Sequence, residues 1–515
     1  MSLLRTAFAA LPLSLLPVFP AFALTAEEVW ADWTRLAALG DVAITASTQR
    51  QGDRLVVTDI AIPVGPPEDQ ADLMLERIEL VDLPDDTVSV VLPPSFPVTF
   101  KLRAPDPDFE LVTLLASAPD FSLIVSGIGD QAAFDLKAPS LALSLKEIVP
   151  ALQANEKAEV SLALADLSVE HRMDLVSASK SLSTKVSLGV VHGDALIHDE
   201  VADGPIELTV DLAGLAGSLD FFIPATLDEA RLGDLDAEQN PLPILLAGLA
   251  DGFLMRGEAR FEGYTVLAKG GDQSQEFTVE YSSEAGSASA WLDKVSAGYE
   301  LALGKTQSVM QGLPDTGLRT LSLGFDEFDY GLSIGIGDLV SPQEVRFHSQ
   351  LANLTLPPEI WQLIDPTGAI QGTPMSYAID VLGRYALAPE MLNPDWEHDP
   401  AAFPPVDLVD VTLTELSLNG LGVALAGEGA LTFDETDLQT YEGLPAPDGK
   451  VTLTATGVNA LIDRLVAAGQ IPADELTAFR MGLMFIAKAG AEPDSLTSEV
   501  EFRDKGFYLN GVKLR

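Results

Sequence analysis

Apolar and polar residues alternate with period two along most of this chain, which confines it to sheets with one apolar and one wet face. The segments Leu55 to Ile62, Val88 to Leu92, Phe121 to Val125, Leu141 to Leu145 and Val160 to Leu164 all carry the pattern. Pro, Gly and Asp clusters at 63–67 and 104–108 separate them, as turns between antiparallel strands do. At usual strand lengths the chain has room for roughly 20 strands or more. The predicted class is mainly β (α+β): extended antiparallel sheets with bulges, an N-terminal helix and a C-terminal helix pair.

A hexapeptide with apolar residues at its first, fourth and sixth positions recurs at Leu75 to Leu80, Leu164 to Val169, Leu318 to Leu323 and Leu413 to Leu418. Each copy breaks strict alternation once, which predicts a β-bulge, because one extra residue changes the facing of everything after it. The copies are not evenly spaced, so recurrent sheet construction is expected and a strict solenoid is not.

Helical signals are few. Thr25 and Glu28 form a capping box ahead of Val29, Trp33 and Leu36, and Gly40 closes that helix. A Leu-rich helix is expected over 240–256 and a short one from Pro358 to Ile364. A pair follows near the C-terminus, Ala460 to Ala468 and then a helix opened by Pro472, whose Leu476, Phe479, Leu483 and Ile486 predict a buried stripe. The favoured division lies near residue 256, giving a leader at 1–23 and β-rich regions at 24–256 and 257–515.

Residues 1–23 read as a secretory signal. Arg5 precedes an apolar stretch, Ala21 and Ala23 bracket the cleavage point, and Pro12, Pro17 and Pro20 oppose a spanning helix. No later stretch is long and apolar enough to span a bilayer, since the nearest, 241–255, contains Asp251. The expected location is therefore the periplasm. The absence of cysteine excludes disulfide scaffolds, thiol chemistry and zinc-thiolate sites. With 30 Lys and Arg against 77 Asp and Glu, the net charge of −47 opposes nucleic acid as a partner and docking on anionic lipid heads.

Four motifs invite a chemical reading. Gly331 to Gly335 is spelled like a nucleophile elbow around Ser333, but its flanks are strand-like and no helix follows. Gly298 to Thr306 resembles a phosphate-binding loop one residue too long, with Tyr299, Leu301 and Leu303 where small residues belong, so a hairpin is expected. His192, Asp194, His198, Asp199 and Glu200 are metal-ligand types. The two histidines, about 20 Å apart on an extended strand, meet only if Gly193 and Asp194 turn the chain, and a solvated hairpin is expected. Asp234 to Asn240 imitates half a calcium loop, without the glycine at its sixth position and with Leu245 in place of the closing glutamate. No catalytic, metal or cofactor-binding residue is assigned, and no cofactor is expected.

The segments Gly429 to Asp434, Asp448 to Leu453, Gly457 to Ile462 and Lys505 to Gly511, with Ile364-Asp365-Pro366, resemble the domain-of-unknown-function family 2125 of periplasmic alphaproteobacterial proteins. The resemblance covers roughly the last 160 residues. It implies a β-rich envelope protein, loosely AsmA-like, with no established activity and no catalytic residues to carry over. The leading expectation is an exported, non-enzymatic envelope protein that handles a lipid in an apolar groove. The alternative is a periplasmic scaffold or assembly factor with a filled core and an envelope protein as partner; a hydrolase comes third, for want of a coherent acid, base and nucleophile.

Signal peptidase is expected to cut after Ala23, leaving Leu24 first. Intact-mass measurement of the exported protein checks this; an uncleaved, membrane-bound product contradicts it.

Overall fold

The computed structural model describes residues 24–65, 71–103, 110–152, 156–198, 204–227, 242–271, 276–312, 320–337, 341–370, 372–387 and 406–515. Among these, 28 strand segments form one antiparallel sheet, so the chain is mainly β as its alternation requires. Many segments are halves of one long bent strand: the stretches 254–271, 276–292, 296–311 and 320–335 each break near the middle, and both halves pair with the same neighbouring rows. Joined in this way they make an up-and-down meander of about 20 rows, on the order of 100 Å along its length at about 4.8 Å per row.

The meander runs from Thr45–Gln51, paired to Arg54–Val64, through the long strands Ala133–Val149, Lys157–Asp174, Lys180–His198 and Ile206–Ile223, to Ser495–Arg503 and Val512–Lys513. Ile206–Ile223 pairs with both Leu254–Phe261 and Gly263–Gly271, so the sheet crosses residue 256 without a break. The first edge strand is polar and exposed throughout, and the last has two residues, both of which discourage pairing with another chain.

Buried side chains concentrate in two places, each under a helix. Ala26–Leu39 starts at the expected capping box, with the Thr25 side chain accepting from the Glu28 amide and the Glu28 carboxylate accepting from the Thr25 amide. Its Ala26 and Val29 are fully buried against Leu55, Val57, Ile60, Ile78 and Leu80, and Trp30 and Trp33 pack on the same cluster. The Leu-rich helix, Leu242–Ala250, is shorter than expected. Gly252, at φ +103, and Phe253 bond back to Leu249 and Gly248, ending it, and the chain re-enters the sheet at Leu254. Leu249 there packs with Ile336, Leu387 and Tyr385. Among the described residues no helix is long and apolar enough to cross a membrane. The leader at 1–23 lies outside the described residues.

Pro358–Ile364 is helical as expected, and the C-terminal pair occupies Val458–Ala467 and Leu476–Ile486. The stripe expected on the last helix is not buried. Leu476 and Leu483 are half-buried, but Phe479 and Ile486 point outward, and no residue of that helix is buried. The three- and four-residue spacing that defined the stripe fits either face of so apolar a helix; Arg480 lies on the half-buried side with Leu476 and Leu483 and pairs with Asp463 at 2.5 Å.

Leu80→Ala should lower the free energy of the first urea transition by about 2 to 5 kcal/mol. Trp30 and Trp33 fluorescence reports that transition, and Leu363→Ala, at an exposed position, should leave it unchanged.

Candidate functional site

Directly opposed residues of paired strands share a face, so the register alone shows which side chains stand together. Leu141, Leu164, Val191, Leu212 and Tyr264 form one such line across five rows. Following the register from Ile206 to Leu509, no inward position of the described strands carries Asp, Glu, Lys or Arg. The charges lie on the other face, where pairs such as Arg172–Asp135 at 2.7 Å and Arg346–Asp380 at 2.8 Å cross between strands.

A seam runs across the rows and bends them. On Lys157–Asp174 the inward residues are Leu162 and Leu164 on one side and Leu167 and Val169 on the other, with Ala165 and Asp166 both outward between them. Asp166 is left-handed at φ +55 and stands opposite Pro139 and Gly189, and the seam continues through Gly214 at φ +62. Asp59 at φ +52 opens it near the first rows; far along the sheet Asn353, at φ +55, donates to Asp326 at 2.8 Å. Glycine is needed where carboxylates crowd the bend: a Cβ on Gly214 would stand 2.3 Å from Glu262, and one on Gly189 3.0 Å from the Asp166 carboxylate. The facing change expected from the hexapeptide falls on this seam at Leu75 to Leu80 and Leu164 to Val169, but without a bulge, because the partner strands step with it and the register is unbroken; at Leu413/Leu416 the register does shift as a bulge. The copy from Leu318 begins outside the described residues.

The bent sheet is a trough with an apolar interior, and residues from both sides of the seam, Val57 with Ile60 and Ile78 with Leu75, meet in one cluster under the N-terminal helix. Its polar groups satisfy one another. The Tyr299 and Tyr330 hydroxyls lie 3.2 Å apart, Ser349 and Tyr377 3.1 Å, Ser283 and Thr306 3.0 Å. Burial, with Tyr281 beside it, pushes the Tyr264 hydroxyl up to about 12. His171 stacks on Phe134 at 4.9 Å and meets the Thr184 hydroxyl at 2.9 Å; burial, aided by Arg172, lowers its pKa and favours the neutral ring.

Among the described residues, interior side chains away from the two helix-covered clusters are left half-open. Ile197 is 50% exposed, Leu219 47% and Leu301 37%.

One rim is fastened by a buried carboxylate from the Ile364-Asp365-Pro366 motif. Asp365, 1% exposed, accepts from the Ile370 amide at 2.6 Å, the Thr367 hydroxyl at 2.7 Å and the Gln470 amide group at 2.7 Å, tying the loop to the helix pair. Burial opposes its ionisation, but these bonds prevail and hold its pKa down to about 2. Asp494 accepts from the Asn459 and Ala460 amides at 3.0 Å, capping a helix whose own N-cap is Gly457.

The chemical motifs resolve into sheet. Ser333 lies within the strand Glu327–Gly335, paired on both sides, with no elbow. Gly304 and Lys305 join two collinear half-strands across the seam and make no hairpin. Gly193 and Asp194 do not turn either: Lys180–His198 continues straight through them, because both neighbouring strands pair with it at these residues. His192 sits on the outer face, 2.7 Å from Asp211 and 2.8 Å from Asp194, and those partners raise its pKa, the Asp211 bond most. Asp199, Glu200 and the stretch 234–240 lie outside the described residues, and among those described no group of three or more candidate ligands converges.

Fold and interior together define a long β-trough whose described rows from Ile206 onward have an uncharged inner face and a charged outer one. Residues 254–514 match the bacterial family described as an uncharacterized protein conserved in bacteria, DUF2125, and the chain belongs to it. The match reaches well upstream of the motifs that suggested the resemblance. No curated protein and no solved structure matches the chain.

Because the Asp365 pKa lies below its ordinary value of 3.8, its contribution is complete above about pH 4 and is lost as pH falls toward 2. Pepsin cleavage within 458–486 should therefore rise between pH 4 and pH 2, and Asp365→Asn should already show it at pH 4.

Proposed function

We propose that this protein is an exported, non-enzymatic carrier of lipid acyl chains, held in the periplasm along the trough. The observation that carries the reading is the length of uncharged interior left half-exposed. A sheet must cover its apolar face, and among the described residues helices cover only parts of it.

Each arm of a long row, about eight residues at about 3.3 Å, extends roughly 25 Å, more than the roughly 15 Å of one bilayer leaflet's hydrocarbon. An acyl chain lying along an arm gains about 0.8 kcal/mol per buried methylene, while its headgroup stays in water at the open side. Many interior hydroxyls already have partners within the protein, as in the Tyr299–Tyr330, Ser349–Tyr377 and Ser283–Thr306 pairs, so these ask nothing of a ligand. Hydrophobic attraction is also non-directional, which lets a bound chain shift from row to row without a fixed register. The absence of inward carboxylates over so many rows, in a chain with 77 acidic residues, supports an apolar ligand over a polar one.

Protein purified without detergent should carry stoichiometric lipid by native mass spectrometry. Leu208→Asp combined with Leu301→Asp, both at partly exposed interior positions, should lower fluorescent fatty-acid uptake by about tenfold or more. A bare-chain mass with no uptake by the parent would favour the scaffold reading instead.

A further inference from the structure

The two ends of the trough are finished differently. At the first rows the N-terminal helix fills the interior with Val29, Ala26 and two tryptophans. At the last rows lies Leu476–Ile486, an apolar helix whose outward face is bare: Met484 is 79% and Phe485 77% exposed, and Phe479, Met481 and Ile486 are exposed with them. A helix apolar on the side it turns to water lacks the cover such a helix normally has.

Its position ties it to the trough. The last carbonyl, of Ile486, accepts from the Ser498 hydroxyl at 2.6 Å and from the Asn510 side chain at 3.0 Å. Ser498 stands opposite Leu453 and so projects from the apolar face. The helix therefore leaves the sheet from its interior side, at the C-terminal mouth.

Two observations decide what covers it. The stretch 476–491 contains Arg480 and Lys488 and no acidic residue, in a chain of net charge −47. A helix of 11 residues, about 16 Å long and 10 Å wide, also offers only roughly 250 to 400 Å² of one face, against about 800 Å² per partner for a stable protein interface. A lipid monolayer needs no such area, since it surrounds each inserted side chain. We infer that Leu476–Ile486 inserts its Met481, Met484 and Phe485 face into a zwitterionic lipid surface and seats the C-terminal mouth of the trough there. The inference rests on the trough as a lipid path and assigns it an end: lipid enters or leaves where the helix meets the membrane, while the N-terminal end is closed. Strongly anionic surfaces are disfavoured by the charge on the rest of the chain.

The test is flotation of the mature chain with phosphatidylcholine vesicles, beside the double variant Met484→Ser and Phe485→Ser. Both side chains are exposed, so the variant should melt like the parent and keep its bound lipid. Its vesicle-bound fraction should fall about tenfold or more, and adding phosphatidylglycerol should weaken binding of the parent. Equal flotation of parent and variant, or a parent that does not float, overturns the inference. So does a parent dimer by light scattering that the variant loses, since a second copy would then be the cover. Lipid content read on the same samples separates the two ideas: a lipid-free parent that floats through this helix defeats the carrier reading alone, and a lipid-loaded parent that does not float defeats the seating alone.

Discussion

A β-strand can turn a corner without turning its apolar side chains out only if it places one extra outward residue at the corner, because the side-chain period is two. The neighbouring strand must do the same at the opposed position, or the two faces fall out of phase. The whole trough depends on this constraint. Leu164 and Leu167, Leu141 and Ala138, and Leu212 and Leu215 keep one interior across the bend because the rows step together at Asp166, Pro139 and Gly214. Left-handed Asp and Asn serve at several of these corners; their short polar side chains tolerate that conformation better than other non-glycine residues.

Given an interior that stays on one side, stability becomes nearly one-dimensional. Each row touches the rows beside it, and among the described residues the two apolar core clusters form where a helix lies on the sheet, at Val29 and Leu249. A filled core of the sandwich type would close the space between the arms. Residues such as Leu219 and Ile197 instead keep large fractions of their surface open, and the charged outer face, with its cross-strand arginine pairs, holds the sheet apart from others of its kind.

The sequence made the strands, the capping box at Thr25 and the facing change of the hexapeptides readable, because period two and cap chemistry are local. It did not show that Gly304-Lys305 and Glu262 sit mid-row. A Gly-Lys step looks the same at a hairpin and at a bend, and only the partners, Ala297–Leu303 with Gly286–Leu292 and Thr306–Gln311 with Thr278–Ser283, separate the two. The same limit applies at Gly193-Asp194, which reads as a turn but is held straight by strands on both sides. The last helix misled for another reason: with apolar residues around most of its circumference, spacing could not choose a face. The candidate site was legible as an apolar sheet face, but its continuity from row to row depends on register, which no single strand encodes.

The meander has a consequence for size. Each added pair of rows needs only one more out-and-back excursion of the chain, stepping at the same seam, and it lengthens the trough by roughly 10 Å without disturbing a distant contact. Such a protein is a ruler whose graduations are hairpins. The length of its apolar face is written in the number of its strands, and insertion or loss of one excursion would retune that length while leaving both ends intact.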